Sequence, residues 1–165
     1  MKIIDLLDKN SIKLDASPSG KEEALNMAID LMDRSGKLND KEAYRRQVFA
    51  REKESTTGIG EGIAIPHGKC AAVDRPGLAA MVIKDGVDFE SLDGEPVTLL
   101  FLIAAPDTKD NVHLDVLSKL SMMLMDEEFT KSLRNASTAE EFLEIIDKAD
   151  EEKKSVDERL SDINK

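Results

Sequence analysis

Residues 78–83 read Leu-Ala-Ala-Met-Val-Ile, an apolar run with no polar interruption. A run of this kind predicts a strand that is buried on both faces of a sheet. A second run, Val97 to Ala104, has the same character and is stopped by Pro106. Helices must cover both faces of a sheet that contains such strands, so the two runs predict a single α/β domain.

Helical patterns lie before and after these strands along the chain. Ser19 and Glu22 have the spacing of a capping box, and Gly36 supplies a glycine cap where the same helix should end. The predicted helices cover about residues 19–36, 39–53, 110–124, 127–135 and 138–150.

Turn signals divide the region between the two buried strands. The pairs Asp85-Gly86 and Asp93-Gly94 each predict a turn. A short strand around Val87 to Glu90 would then lie between them. Near the start of the chain, Ile3 to Leu7 could form a short helix and Ile12 to Leu14 a short strand.

The composition fits one ordinary domain with its own core. The chain has 165 residues, of which 41% are hydrophobic, but it has no Trp and only one Tyr. The longest strongly apolar run, Val97 to Ala105, is far shorter than the ~20 residues of a membrane helix, so no direct membrane insertion is expected. The first residues lack the features of a signal peptide. Cys70 is the only cysteine, which excludes an internal disulfide and favours a cytoplasmic location.

The charge excludes nucleic acid as an expected partner. The formal net charge is −11, whereas phosphate contacts need clustered Lys and Arg. An acidic chain favours instead a protein partner with a basic face. Residues 140–165 contain ten acidic and five basic side chains, a net of −5, which is typical of a solvated helix running into a tail.

One histidine lies in an unusual local sequence. Residues 57–68 read Thr-Gly-Ile-Gly-Glu-Gly-Ile-Ala-Ile-Pro-His-Gly. Pro66 fixes its own φ, and Gly68 leaves room beside the ring of His67. If residues 63–65 are the end of a buried strand, His67 lies in a stiff, uncrowded turn and can act as a nucleophile. A loop histidine without chemistry is the alternative reading of these residues alone.

The segment Gly60 to Gly68 resembles, without a gap, the active-site signature of enzyme IIA domains of the bacterial sugar phosphotransferase system, in the fructose/mannitol/nitrogen superfamily. In that family this histidine is transiently phosphorylated. The resemblance implies a mixed, mainly parallel sheet flanked by helices on both faces. It covers residues 1–150 as an enzyme IIA type 2 domain and leaves residues 151–165 as an acidic tail or a linker to a IIB domain.

His113 is the only other histidine, and it lies on the apolar stripe of a predicted helix, in the first turn. It is either a core residue or a neutral imidazole that donates a hydrogen bond to a phosphoryl group on His67, since a helix N-terminus disfavours imidazolium and favours phosphate. The resemblance supports the second role, because mannitol-type members have a second active-site histidine 46 residues after the first.

Arg51 lies sixteen residues before His67, in an Arg-Glu pair that family members share at this offset. By itself Arg51 could be a helix-end arginine, but the resemblance implies that its planar guanidinium binds phosphate oxygens. Glu61 could orient the ring of His67, hold Arg51 or face water. Cys70 is interpreted as a structural thiol, because the phosphorylated cysteine of these relays belongs to the IIB partner.

The expected function is phosphoryl transfer between proteins. His67 would accept the group from the phosphocarrier protein HPr and pass it to a cysteine of a IIB domain in a sugar transporter, of the fructose type. We expect no cofactor or metal, because residues 58–62 lack the Lys-Ser/Thr of a P-loop and no paired His or Cys spacing is present. The alternatives are a nitrogen-type regulatory protein, and an interaction module in which His67 is inert. The sugar is selected by the transporter domain and is not encoded here.

Overall fold

The computed structural model of the protein describes residues 2–163, with side chains for residues 2–152. The described residues form six strands: β1 (Ile12–Lys13), β2 (Gly58–Gly60), β3 (Ile63–Ala64), β4 (His67–Cys70), β5 (Gly77–Val87) and β6 (Val97–Pro106). These strands make one central sheet in the order β1-β5-β6-β3-β2, with β4 paired to β6 as well. The two long central strands, β5 and β6, contain the two apolar runs, as predicted.

The sheet is mixed and mainly parallel. β1 runs parallel to β5, while β3 and β4 run parallel to β6. The pairs β5–β6 and β2–β3 are antiparallel. The predicted fold class is therefore confirmed.

Within the described residues, five α-helices cover the two faces of the sheet. They are α1 (Lys21–Arg34), α2 (Lys41–Glu54), α3 (Val112–Met123), α4 (Glu127–Arg134) and α5 (Ala139–Ile163). Two short 3-10 helices, Ile3–Asp5 and Lys9–Ser11, precede β1. One core layer packs residues of α1 and α2 on the sheet, such as Ile29 and Val48. The other packs residues of α3 and α5, such as Leu120 and Phe142. None of the described helices is both long and apolar enough to cross a membrane.

Two local predictions in this part of the sequence are wrong. Asp85-Gly86 does not form a turn, because β5 continues to Val87; a register shift lies between Val82 and Val87, with Gly86 at a φ of +74°. The residues of β5 that exceed the paired residues of β6 form an irregularity within the strand. No separate strand therefore follows at Val87 to Glu90. The turn at residues 93–94 is confirmed, since the N–H of Gly94 donates to the carbonyl of Ser91 at 3.0 Å.

The capping box predicted at Ser19 is also wrong. The residue before α1 is Gly20, and no side chain caps the helix. The Ser19 hydroxyl donates instead to the carboxylate of Glu23 at 2.6 Å. At the other end the prediction is confirmed, because Gly36 follows the helix with a φ of +77°.

The last helix is longer than predicted. α5 runs to Ile163 and does not end at Asp150, since no Gly or Pro interrupts it. Asp150 itself is buried, and its carboxylate accepts from the N–H of Ile3 at 2.9 Å and contacts Lys119 Nζ at 2.7 Å. The predicted acidic tail covers residues 151–165. Its side chains from residue 153 onwards lie outside the described ones, and residues 164–165 lie outside the described chain.

Candidate active site

His67 lies on the edge of the sheet where two short strands follow one another along β6. β3 pairs with β6 at Leu99 and Leu100, and β4 pairs with it from Ile103 onwards. Pro66 has no N–H to donate and lies at the break between them, while its carbonyl accepts from the N–H of Ile103 at 3.0 Å. His67 is therefore the first residue of β4, although the sequence predicted it in a turn after a strand end.

Gly68 allows α2 to pack closely against this strand. A Cβ at residue 68 would lie 3.0 Å from side-chain carbons of both Tyr44 and Val48. The Tyr44 ring is fully buried, and its hydroxyl donates to the carbonyl of Ile103, the partner of His67 in the β4–β6 ladder, at 2.7 Å. The position of α2 relative to His67 is thus fixed by packing and by a buried hydrogen bond.

This packing brings Arg51 to the histidine. Arg51 lies three positions after Val48 and seven after Tyr44, so it is on the same face of α2, near the helix end. Arg51 and His67 line one cleft of about 310 Å³. Arg51 Nη1 donates to the carbonyl of Ser55 at 2.9 Å and to its hydroxyl at 3.4 Å, which orients the guanidinium, while the N–H groups of Nε and Nη2 can donate to a ligand.

The hydrogen bond of the His67 ring defines which nitrogen can react. Nδ1 lies 3.2 Å from the carbonyl oxygen of Ile65, and a carbonyl can only accept, so Nδ1 has the proton. Nε2 then has the free lone pair. Burial lowers the pKa of His67 below its ordinary value, Arg51 lowers it further, and the Ile65 carbonyl and Glu52 oppose the shift. The ring is therefore neutral at pH 7 and nucleophilic at Nε2.

His113 lies beside His67, at the start of α3. The two ring centroids are 6.1 Å apart, with an interplanar angle of 34°. Nδ1 of His113 is shielded from water and has no hydrogen-bond partner within the described part of the chain. Burial lowers the pKa of His113, and His67 and Lys69 lower it further. Asn111 precedes α3 without making a side-chain cap, and its carbonyl accepts from the N–H of Leu114 at 3.0 Å.

Comparison with known families identifies the family of the chain. The family model described as "Phosphoenolpyruvate-dependent sugar phosphotransferase system, EIIA 2" matches residues 5–149. The chain belongs to this enzyme IIA family. Its general role is therefore that of a phosphotransferase-system phosphoryl carrier.

Curated relatives of this enzyme IIA chain include fructose-specific proteins. It is 47% identical over 150 residues to the PTS system fructose-specific EIIABC component of Bacillus subtilis, which covers 91% of this chain but 24% of that protein. It is 36% identical to the PTS system fructose-specific EIIA component of Haloferax volcanii, over 82% of this chain and 88% of the relative. The chain thus spans about a quarter of the first relative and most of the second.

Solved structures of enzyme IIA proteins share the fold. The nitrogen regulatory protein IIA-Ntr of Neisseria meningitidis has a TM-score of 0.80 at 35% identity, covering 87% of this chain and 98% of its own. The mannitol enzyme IIA of Escherichia coli, solved in complex with phosphorylated enzyme IIB, has a TM-score of 0.73 at 28% identity, covering 86% and 98%.

Two residues considered in the sequence lie apart from the cleft chemistry of this enzyme IIA domain. Glu61 is exposed with a φ of +58°; its N–H donates to Asp93 at 3.0 Å and its carbonyl accepts from Arg134 at 2.9 Å. It does not line the cleft, which favours the reading that its side chain faces water. Cys70 is half-buried and packs against the core layer beneath α1 and α2.

Several polar residues close to the site, which include Gln47 and Glu54 in the lining of the cleft, were not predicted from the sequence. Lys69 lines the cleft and adds a second cation beside Arg51. Glu52 is buried next to Arg51 and holds Thr57 through both its N–H and its hydroxyl. The adjacent residues Arg51 and Glu52 were the available signal in the sequence, but they led to a predicted role for Arg51 alone. Within the described residues, no three His, Cys, Asp or Glu side chains cluster closely enough to hold a metal ion.

Proposed function

We propose that this protein is a fructose-type phosphoryl carrier in which His67 accepts a phosphoryl group from phospho-HPr and passes it to a cysteine of a IIB domain. The observation that supports this most directly is the His67 ring: Nδ1 is bonded to the Ile65 carbonyl, so Nε2 is the free nitrogen beside a cleft lined by Arg51 and His113.

The transfer step follows from this geometry. Nε2 of His67 attacks the phosphorus, and the bond between phosphorus and the donor side chain breaks with its electron pair leaving on the donor. The His67 ring gains positive charge as the new N–P bond forms. The Nδ1–H bond to the Ile65 carbonyl stabilises that charge. Transfer onward reverses these steps, with the thiolate of the IIB cysteine as the attacking group.

Three groups are assigned to the charge on the phosphoryl oxygens. Arg51 offers a permanent planar charge that can bind two oxygens at once. Neutral His113 can donate one hydrogen bond to a phosphoryl oxygen. Such a bond would give a partner to its imidazole, whose Nδ1 is shielded from water and has no hydrogen-bond partner in the described residues. The first N–H groups of α3 add a positive helix end. Catalysis then consists of positioning and charge stabilisation of a loose transition state.

The fructose-type assignment rests on the relatives at 47% and 36% identity. The similarity to IIA-Ntr, at a TM-score of 0.80, favours a nitrogen-type regulatory function as the second candidate. In that case the phosphorylation state of His67 would control binding to a target protein. The discriminating measurement is transfer to a purified fructose-type IIB domain, which a relay protein performs and a dedicated regulator does not.

The division of the chain and its location follow from the same proposal. Residues 1–150 would be the carrier domain, and residues 151–165 an acidic tail or a linker to a IIB domain. Partners of this kind act at the inner face of the membrane, so the domain would work in the cytoplasm without inserting into the bilayer.

The test is phosphorylation in vitro. The protein is incubated with phosphoenolpyruvate, enzyme I and HPr, and intact mass is measured. We expect one acid-labile, base-stable adduct, which His67→Ala should lose and Cys70→Ser should retain. Labelling of the His67→Ala variant would contradict the proposed function.

A further inference from the structure

Glu52 has an unusual position for a carboxylate that contacts no substrate. Its side chain is buried, with a relative exposure of 7% for the residue, and lies directly after Arg51 on α2. One carboxylate oxygen accepts from the N–H of Thr57 at 2.8 Å and contacts Lys21 Nζ at 3.0 Å. The other accepts from the hydroxyl of Thr57 at 2.7 Å. A buried carboxylate with three donors is a rigid anchor, because losing any of them leaves a charge unsatisfied.

From this anchor a continuous hydrogen-bonded path leads to His67. The carbonyl of Thr57 accepts from the N–H of Ile65 at 3.0 Å. The carbonyl of that same Ile65 accepts from Nδ1 of His67 at 3.2 Å. The path therefore runs from the Glu52 side chain through the backbone of Thr57 and of Ile65 to the ring of His67. Glu52, Thr57 and Ile65 are all buried.

We propose that Glu52 is a positioning residue: through Thr57 it holds the Ile65 carbonyl where that oxygen selects the Nδ1–H form of His67. The inference rests on the proposed function of His67 only for its effect on transfer. The claim that Glu52 sets the ring tautomer does not depend on phosphoryl transfer and can be tested without a phosphoryl donor.

A fixed hydrogen-bond acceptor beside Nδ1 is needed to select this tautomer. A free histidine side chain in water favours the form protonated at Nε2, in which the nitrogen facing the cleft could not attack phosphorus. A carbonyl fixed beside Nδ1 reverses that preference. Glu52 and Arg51 are adjacent at the end of α2. The hydrogen bonds between Glu52 and Thr57 therefore also connect the helix end that contains Arg51 to the segment that contains His67.

The test compares two substitutions of Glu52. Glu52→Gln keeps an oxygen for the Thr57 N–H, and its amide can donate to the Thr57 hydroxyl, so both the tautomer and the transfer rate should stay close to wild type. Glu52→Ala removes every bond of the anchor. In that variant we expect a measurable fraction of the Nε2–H form and a transfer rate lower by about 10-fold, the scale found when the partner that orients a functional histidine is removed.

The tautomer is read from the ring ¹⁵N shifts of His67 in the unphosphorylated protein, and the rate from single-turnover transfer from phospho-HPr. Ile146→Val is the stability control, because Ile146 is buried in the core layer on the opposite side of the sheet. It should lower Tm and leave both readings at the wild-type values. If Glu52→Ala does not fold, Thr57→Val removes only the hydroxyl bond and should shift the tautomer in the same direction by a smaller amount.

An Nδ1–H ring in Glu52→Ala, or in Thr57→Val where the first variant does not fold, would overturn the proposal. A shift of the same size in Ile146→Val would also overturn it. A shifted tautomer with an unchanged transfer rate would support Glu52 as the residue that sets the tautomer and would overturn its expected effect on transfer. If the wild-type protein is not phosphorylated at His67, the proposed function fails, while the ring spectra still decide whether Glu52 sets the tautomer.

Discussion

Substituting Gly68 by alanine should push α2 away from the histidine strand without removing any charged group of the site. The φ of Gly68 lies outside the left-handed region, so alanine is acceptable to the backbone and only space is at issue. The new Cβ would lie 3.0 Å from carbons of Tyr44 and Val48. Carbon atoms prefer a separation of about 3.5–4.0 Å, so these side chains must retreat by about 0.5–1 Å.

The retreat is expected to move the helix as a whole. Tyr44 cannot rotate away without losing the hydrogen bond from its hydroxyl to Ile103, and Val48 is fully buried. Overpacking of this kind costs about 1–3 kcal/mol of unfolding free energy, which in a chain of this size lowers Tm by about 2–4 °C per kcal/mol. Because Arg51 lies on the same helix, a displacement of about 0.5 Å should slow transfer by about tenfold, or 1.4 kcal/mol of barrier.

The assay is single-turnover transfer from phospho-HPr, measured together with Tm. The double variant Gly68→Ala/Val48→Ala removes one of the two crowded contacts, so it should recover part of the lost rate even though Val48→Ala alone makes a cavity. A normal transfer rate in the single variant, with Tm lowered or unchanged, would refute the claim that this packing sets the position of Arg51.

Three further outcomes are expected. Arg51→Lys should slow transfer at least ~10-fold in a normally folded protein, because an ammonium cannot bind two oxygens as a fork; an unchanged rate would leave Arg51 as a helix-end residue. His113→Gln should keep partial activity, whereas His113→Ala should slow transfer by about 10²-fold; a lowered Tm with a normal rate per folded molecule in both would remove His113 from the site. Because burial lowers the pKa of His67, transfer should be constant at neutral pH and fall only below the ordinary value of about 6.5. In that window the unfolded chain binds protons that the folded protein does not, so Tm should fall with pH as well; a rate that falls already above pH 7 would contradict a neutral buried ring.

Much of the fold could be predicted from the sequence, because its long elements have strong patterns. The apolar runs within β5 and β6 and the helix stop at Gly36 are all present in the structure. Predictions that depended on a short local motif were wrong where tertiary contacts outweighed the local preference. Asp85-Gly86 has the composition of a turn, but pairing of β5 with β6 on both sides of Gly86 absorbs it as an irregularity. The end of α5 could not be located, since no breaker marks it.

The site could be predicted only as a set of residue types. The sequence named Arg51, His67 and His113, and the structure brings all three to one cleft. It could not give the reacting nitrogen, because that depends on the carbonyl of Ile65, two residues away, folding back on the ring. The anchoring role inferred for Glu52 was also invisible, because its partner Thr57 lies beyond the end of α2 and only the turn between them creates the contact.

The most direct test of His67 as the phosphoryl acceptor is to locate the phosphoryl group on the protein. The ¹⁵N-labelled protein is phosphorylated with phosphoenolpyruvate, enzyme I and HPr, and the histidine ring signals are recorded before and after. We expect phosphorus on Nε2 of His67, with Nδ1 still protonated. Phosphorus on Nδ1 of His67, on His113 or on Cys70 would contradict it.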